Sequence, residues 1–449
     1  MGTVPTLAGG LPWLGHAPAF HRNPVGFLEE GRRRHGDIFR FKLCGRDVYA
    51  LLSPRGHQAF FRASDDELSA REAYRFTVPI FGPGVAYAVS SELMDEQLRL
   101  LHPALRDDAM QAYAGFMAQE VDEFADRLGV EGQIDLLPAM NELTIAIAGR
   151  CLIGPEFRSR SAAEFAALYR DLEAGINLIA FFSPGFPSPA NLRRDRARRR
   201  VLALMSELIA ERRRTGGDTK DFLGVLMNAR DAFGAALSDD LITGLLLTAL
   251  FAGQHTSAVM ATWVAVLLAQ HPEEASALRR EAEAETRGEQ PGLAALKRLR
   301  RLEWCLKEAE RLYPPIVMLM RLVQRPFTAD GHALPPGSMA MVSPAVGHRL
   351  PHVFADPKRF DPDRFAPPRE EDRATPFSLI GFGGGKHRCL GLAFAHQQIK
   401  IIWTLLLRRF DFELADPTPR PDYATWVVGP RGSCRVRYRR RATAPAAAA

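Results

Sequence analysis

The chain has 449 residues, 47% of them hydrophobic and 24% charged, a composition that excludes a disordered or fibrous protein. Its formal net charge of +6 carries no coherent basic stripe, which argues against nucleic acid as a partner. The five cysteines are scattered and form no C-x-x-C pair, which fits a reduced cytoplasm better than secretion. In chain order, Pro5, Gly9, Gly10, Pro12, Gly15 and Pro18 keep the entry irregular. Alternation from Ile38 to Leu43 and from Val48 to Leu52, around Gly45, predicts a β-hairpin. From Ser53 to Leu312 the pattern is predominantly helical, with stops at Gly154-Pro155, Ser183-Pro184-Gly185 and Gly216-Gly217. The run from Arg193 to Arg200 reads as the solvated face of a helix. Asp239 to Gln270 is a long apolar helix capped by Ser238. It is long enough to span a bilayer, but Gln254-His255-Thr256-Ser257 at its centre is expensive in lipid. The segment therefore reads as a core helix with a polar kink facing a cavity, and no transmembrane segment is expected. Phe327 to Met341, with Asp330-Gly331 and Pro335-Pro336-Gly337, predicts a second hairpin, and a helix follows from Leu390 to Arg409. With no linker or repeat, residues 1–441 read as a single domain and 442–449 as a disordered tail.

Three segments carry chemistry. In Phe382-Gly383-Gly384-Gly385-Lys386-His387-Arg388-Cys389-Leu390-Gly391, glycines permit a tight loop that can approach a flat macrocycle. The basic neighbours and the start of the next helix favour Cys389 as thiolate. A glycine-rich turn with a structural cysteine is the plain alternative. In Glu308-Ala309-Glu310-Arg311 the first and last residues share a helix face and can pair, as surface ion pairs also do. In Ala252-Gly253-Gln254-His255-Thr256-Ser257 a hydroxyl and an imidazole lie within an apolar helix, a combination suited to proton delivery.

In this order and spacing the three segments resemble those of the cytochrome P450 family along essentially the whole chain. The resemblance implies a mainly α fold with small β-sheets (α+β), with haem between the long central helix and the cysteine loop. It implies haem b (iron protoporphyrin IX) as cofactor, Cys389 as the proximal iron ligand and Thr256 as the distal threonine. Phe382 and Gly391 bound the haem-binding loop, and Glu308, Arg311 and Arg364 form the family's structural cluster.

The residue before the distal threonine, usually acidic in the family, is His255, which resembles the sterol 14α-demethylases. So does Tyr74-Arg75-Phe76-Thr77-Val78-Pro79-Ile80-Phe81-Gly82-Pro83-Gly84-Val85-Ala86-Tyr87-Ala88. That likeness implies that Tyr74, Arg321 and His387 bind haem propionates, with Arg99 and His102 as alternatives for a further propionate contact. It places Glu173 as partner of His255 in a proton path, against the reading of a solvated helix residue. It also gives a substrate wall of Phe76, Phe81, Tyr87, Phe251, Ala252, Met318 and Met320, each of which could equally be core. Gly381 departs from the proline usual before the loop, and Ala88 from the usual aspartate.

The implied reaction is removal of a sterol 14α-methyl group in three successive oxidations, the carbon leaving as formate. Each oxidation uses O₂ and two electrons, and no flavin or iron–sulfur cysteine pattern occurs in the chain. Electrons are therefore expected from a separate donor, a ferredoxin with its reductase, met by Lys386 and Arg388. The expected location is the cytoplasm, with peripheral membrane contact through Phe181, Phe182 and Phe186 as the alternative to a buried aromatic cluster. Two rival functions stand beside this one. One is hydroxylation of another terpenoid or a polyketide; the other is a non-catalytic haem-containing lipid-binding or sensor protein.

Overall fold

The hairpin read around Gly45 forms as strands Ile38–Leu43 and Arg46–Leu51, joined by the two-residue turn Cys44–Gly45. It is part of a computed structural model that describes residues 3–85, 89–154, 162–176, 180, 183–216, 221–416 and 419–442. Tyr87, Phe181, Phe182 and residues 443–449 of the expected tail lie outside the described residues. Packing divides the chain into two compact units. The first comprises residues 1–68, 117–144 and 255–449, and the second 69–116 and 145–254.

In the first unit, Arg46–Leu51 pairs in parallel with Met339–Val342, which pairs antiparallel with Leu319–Val323. The second predicted hairpin is therefore shorter than its pattern suggests. Phe327–Ala329 pairs with His332–Leu334 across Asp330–Gly331, while Met339–Val342 leaves to join the other sheet. Its four residues are all buried, so the strand belongs inside a larger sheet rather than on a two-stranded ribbon. Phe60 and Phe61, from the helix Pro54–Arg62, pack on this sheet together with Val342 and Ile380. Ser53 caps that helix by accepting from the Gly56 amide at 2.9 Å, with Pro54 at the first turn. A three-stranded antiparallel sheet has Arg435–Arg440 between Glu131–Asp135 and Phe410–Leu414. Trp263 stacks on Tyr313 with centroids 3.9 Å apart, and Trp403 donates to the Ala261 carbonyl at 3.1 Å. These contacts fix the C-terminal half of the long helix.

The second unit is helical, with Ser91–Leu101, Ala162–Ala174, Pro189–Thr215 and Phe222–Asn228 among its elements. The arginine run is not simply a solvated face. Arg194 is buried and paired with Asp195 at 2.7 Å, while Arg198 donates to the Ile80 carbonyl and to Asp240. Arg194 and Arg198, four positions apart and so on one helix face, turn inward and tie their helix to neighbouring segments, which composition could not show.

The long helix Asp239–Gln270 runs without interruption through the predicted polar kink, and Ser238 caps it by accepting from the Leu241 amide at 3.2 Å. Among the described residues, three helical stretches are long and apolar enough to cross a membrane, by length and composition only. In this helix 72% of the apolar window is buried within the protein.

Candidate active site

The cysteine loop is shaped by its glycines. Gly383 and Gly385 have φ of 70° and 57°, in the left-handed region that favours glycine. A side chain on Gly385 would also collide with the Phe61 carbonyl, so the loop lies directly on the helix Pro54–Arg62. The Cys389 amide donates to the Phe382 carbonyl at 2.8 Å, closing the loop. Three residues further on begins the helix Leu392–Arg409, whose N-terminal dipole favours an anionic sulfur. Cys389 is exposed, whereas Cys151, Cys305 and Cys434 are buried. Phe382 meets the His396 ring edge-on at 5.2 Å, and His396 in turn bonds Glu303 at 3.1 Å.

Two nitrogen-bearing side chains belong to the same unit as this sulfur, the guanidinium of Arg321 and the imidazole of His387. Arg321 is buried, donates to the Phe60 carbonyl at 2.9 Å and lies 4.5 Å over the Phe60 ring. His387 bonds Asp65 at 2.5 Å. Burial lowers the His387 pKa, the Arg321 charge adds to that, and Asp65 opposes both. Asp65 also holds Lys386 at 3.3 Å, while Arg388 stays exposed. Asp65 is a site residue that the sequence did not reveal. It lies 322 positions from His387, and nothing local marks it.

Behind the site, Glu308, Arg311 and Arg364 are fully buried rather than a surface pair. Glu308 accepts from Arg311 at 2.7 and 2.8 Å and from Arg364 at 3.0 Å. Arg311 further donates to the carbonyls of His348, Pro357 and Arg359, and Arg364 to those of Ala355 and Arg359 and to Glu371.

The long helix carries a partly open stripe. Thr248, Ala252, His255 and Thr256 are half-buried or exposed, while Gln254 and every residue from Ser257 to Leu268 is buried. Spacings of three and four place these open positions on one helix face. The hydroxyl and imidazole predicted to serve proton delivery therefore share the face that is not packed shut. Met318 and Met320 are half-buried, Met320 on the strand Leu319–Val323.

In the second unit, Phe76 and Phe81 are buried and Phe251 half-buried. Phe251 meets Phe81 edge-on at 5.6 Å and Tyr169 at 4.2 Å, an aromatic contact the sequence left unnoticed. Gly244 allows this approach, since a side chain there would come within 2.6 Å of the Phe81 carbonyl. Tyr74 is half-buried, with its ring 6.3 Å from that of Phe76. Arg99 lies in the last turn of the helix Ser91–Leu101, His102 opens the next short turn, and Glu173 is half-buried on Ala162–Ala174. Phe186 is 53% exposed, which departs from a buried aromatic cluster.

A single exposed cysteine sulfur, a loop open enough for close approach, and the hydrogen-bond donors Arg321 and His387 fit an iron porphyrin with propionate groups. The fold and this donor set define a haem-thiolate protein. A profile described as Cytochrome P450 matches residues 5–433. The chain is 38% identical to the sterol 14-demethylase of Arabidopsis thaliana, over 97% of this chain and 91% of that protein. It is 37% identical to the sterol 14alpha-demethylase of Mycobacterium tuberculosis, over 98% of each. A solved structure titled Retinoic acid bound cyanobacterial CYP120A1 superposes with a TM-score of 0.87 at 24% identity, over 98% of this chain and all of that one, which concerns the fold alone. This chain belongs to the cytochrome P450 family. It is a monooxygenase with haem b as cofactor, and it requires a lipophilic substrate, O₂ and a redox partner.

Proposed function

We propose that this P450 removes the 14α-methyl group of a sterol, with electrons delivered by a ferredoxin. The observation that carries the proposal is the open stripe of the long helix, where His255 and Thr256 face away from the packed core. Similarity to sterol 14-demethylases of plants and mycobacteria supports the substrate class. When bound, the haem supplies the activation of O₂. Cys389 would hold the iron through Sγ, and Arg321, His387 and Tyr74 would hold propionates, with Arg99 or His102 in addition. Thr256 Oγ1 would donate a proton towards oxygen and His255 would replenish it, with Glu173 as its link to solvent. Phe76, Phe81, Phe251, Ala252, Met318 and Met320 would exclude water and orient the sterol. None of the five cysteines is joined in a disulfide, which supports a cytoplasmic location.

The test is titration of the ferric protein with lanosterol and with obtusifoliol, following the haem absorption spectrum. The expected result is a low-spin to high-spin shift at low micromolar sterol. If neither sterol gives a shift while the reduced-CO spectrum is normal, the substrate is another terpenoid or a polyketide.

A further inference from the structure

Glu310 sits in the middle of the buried cluster's sequence but does a different job. Its neighbours Glu308 and Arg311 pair with each other, whereas the Glu310 carboxyl turns to the backbone at Gly381, where the cysteine loop begins. Glu310 is only 4% exposed. The Gly381 amide donates to its carboxyl, and a side chain built on Gly381 would collide with that carboxyl and lie 2.7 Å from its Cγ. The carboxyl and the missing side chain are thus fitted to each other. One residue on, the Phe382 carbonyl accepts the Cys389 amide at 2.8 Å, so a displacement at Gly381 passes directly to the sulfur-bearing residue.

We propose that Glu310 is a positioning residue for the iron ligand: held by the Gly381 amide in place of a side chain at 381, its carboxyl sets where the loop presents Cys389 and how strongly that sulfur donates. This rests on Cys389 being the ligand. Donation from a ligating sulfur depends on nearby hydrogen bonds, burial and charge; Glu310 bonds the loop's Gly381 amide, and its charge is felt at Cys389. The titratable groups that act on Glu310 are Lys307, Glu303 and Asp372, and Glu310 in turn acts on Cys389. Lys307 is engaged by Asp372 at 2.7 Å, and Glu303 by Lys400 at 2.7 Å and by His396. Burial pushes the Glu310 carboxyl up to about 8, against the pull of Lys307 and the Gly381 amide. It is therefore neutral at pH 7 and becomes an anion in alkaline solution.

The test uses four haem-loaded proteins: wild type, E310Q, G381A and the double variant E310A/G381A. Two spectroscopic properties are read, the ferrous–CO band and the ferric/ferrous midpoint potential on either side of pH 8. G381A should shift part of the CO band from the thiolate to the thiol position, and the double variant should restore it because the collision is removed. E310Q should keep the thiolate band and match the wild-type potential in acid, but exceed it in alkali, where only wild type gains a negative charge. A G381A band identical to wild type, or a double variant no better than G381A, overturns the positioning role. An E310Q potential that follows wild type at every pH overturns the effect on donation. A wild-type protein without a thiolate CO band overturns the ligand assignment itself, and is thereby told apart from failure of the Glu310 proposal.

Discussion

Arg311 and Arg364 are shut away from water, a placement that costs several kcal/mol unless each guanidinium proton finds an acceptor. Glu308 and a ring of carbonyls provide those acceptors. Glu308→Ala leaves two buried cations with no carboxylate between them and should cost about 3–5 kcal/mol, read by chemical denaturation. Glu308→Gln, which keeps an acceptor, should cost less. His57 offers a prediction of the opposite sign of charge. It is fully buried, which holds the ring neutral, while its Nδ1 donates to the Phe377 carbonyl at 3.0 Å and opposes that effect in part. Burial lowers its pKa to about 4, and burial likewise lowers that of His348, whose Nε2 accepts from the Ile380 amide at 2.8 Å. The unfolded chain takes up protons as pH falls below about 6.5, while folded His57 resists until about 4. Stability should therefore decline across that window, by about 3 kcal/mol from His57. His57→Gln should flatten the decline, measured as urea midpoints against pH. At the sulfur, Cys389→Ala should abolish the ferrous–CO thiolate band with the far-UV dichroism unchanged.

At the scale of elements, the long helix and the helix Pro54–Arg62 do most to position chemistry. The first is buried along most of its C-terminal half, where tryptophan contacts hold it, and carries Ala252, His255 and Thr256 on a partly open stripe. If that stripe delivers protons, Thr256→Ala should leave oxygen consumption largely intact while product formed per O₂ falls by about 10²-fold or more. Parallel oxygen-electrode and product assays check this, and an unchanged ratio would remove Thr256 from proton delivery. The second helix serves as the bed for the cysteine loop through Phe61. Loss of its cap in Ser53→Ala should cost about 1 kcal/mol, seen in the thermal midpoint and accompanied by faster haem loss.

At the scale of the molecule, haem binding and folding are linked. A cofactor that binds only the folded chain stabilises it by about 4 kcal/mol when present about 1,000-fold above its Kd. Haem-free protein should accordingly melt at a lower temperature than the loaded form, and calorimetry of the two forms checks it. How much of this molecule was legible beforehand depended on how local each signal was. The hairpin at Ile38–Leu51, the extent of Asp239–Gln270 and the tight cysteine loop are written in short-range patterns of alternation, capping and glycine, and each formed where its pattern lies. The membership of Met339–Val342 in the larger sheet was not written there, because strand partners are chosen by burial across hundreds of positions. The same holds for Arg194 turned into the interior, Asp65 under His387, and Glu310 against Gly381. The sequence by itself determined the chemistry available: one cysteine in a glycine-rich loop, a hydroxyl beside an imidazole, a glutamate three residues before an arginine. Only the tertiary structure decided which of these groups are buried, which remain open and which carboxylate meets which cation, because burial and long-range pairing depend on surfaces that exist only once the chain has folded.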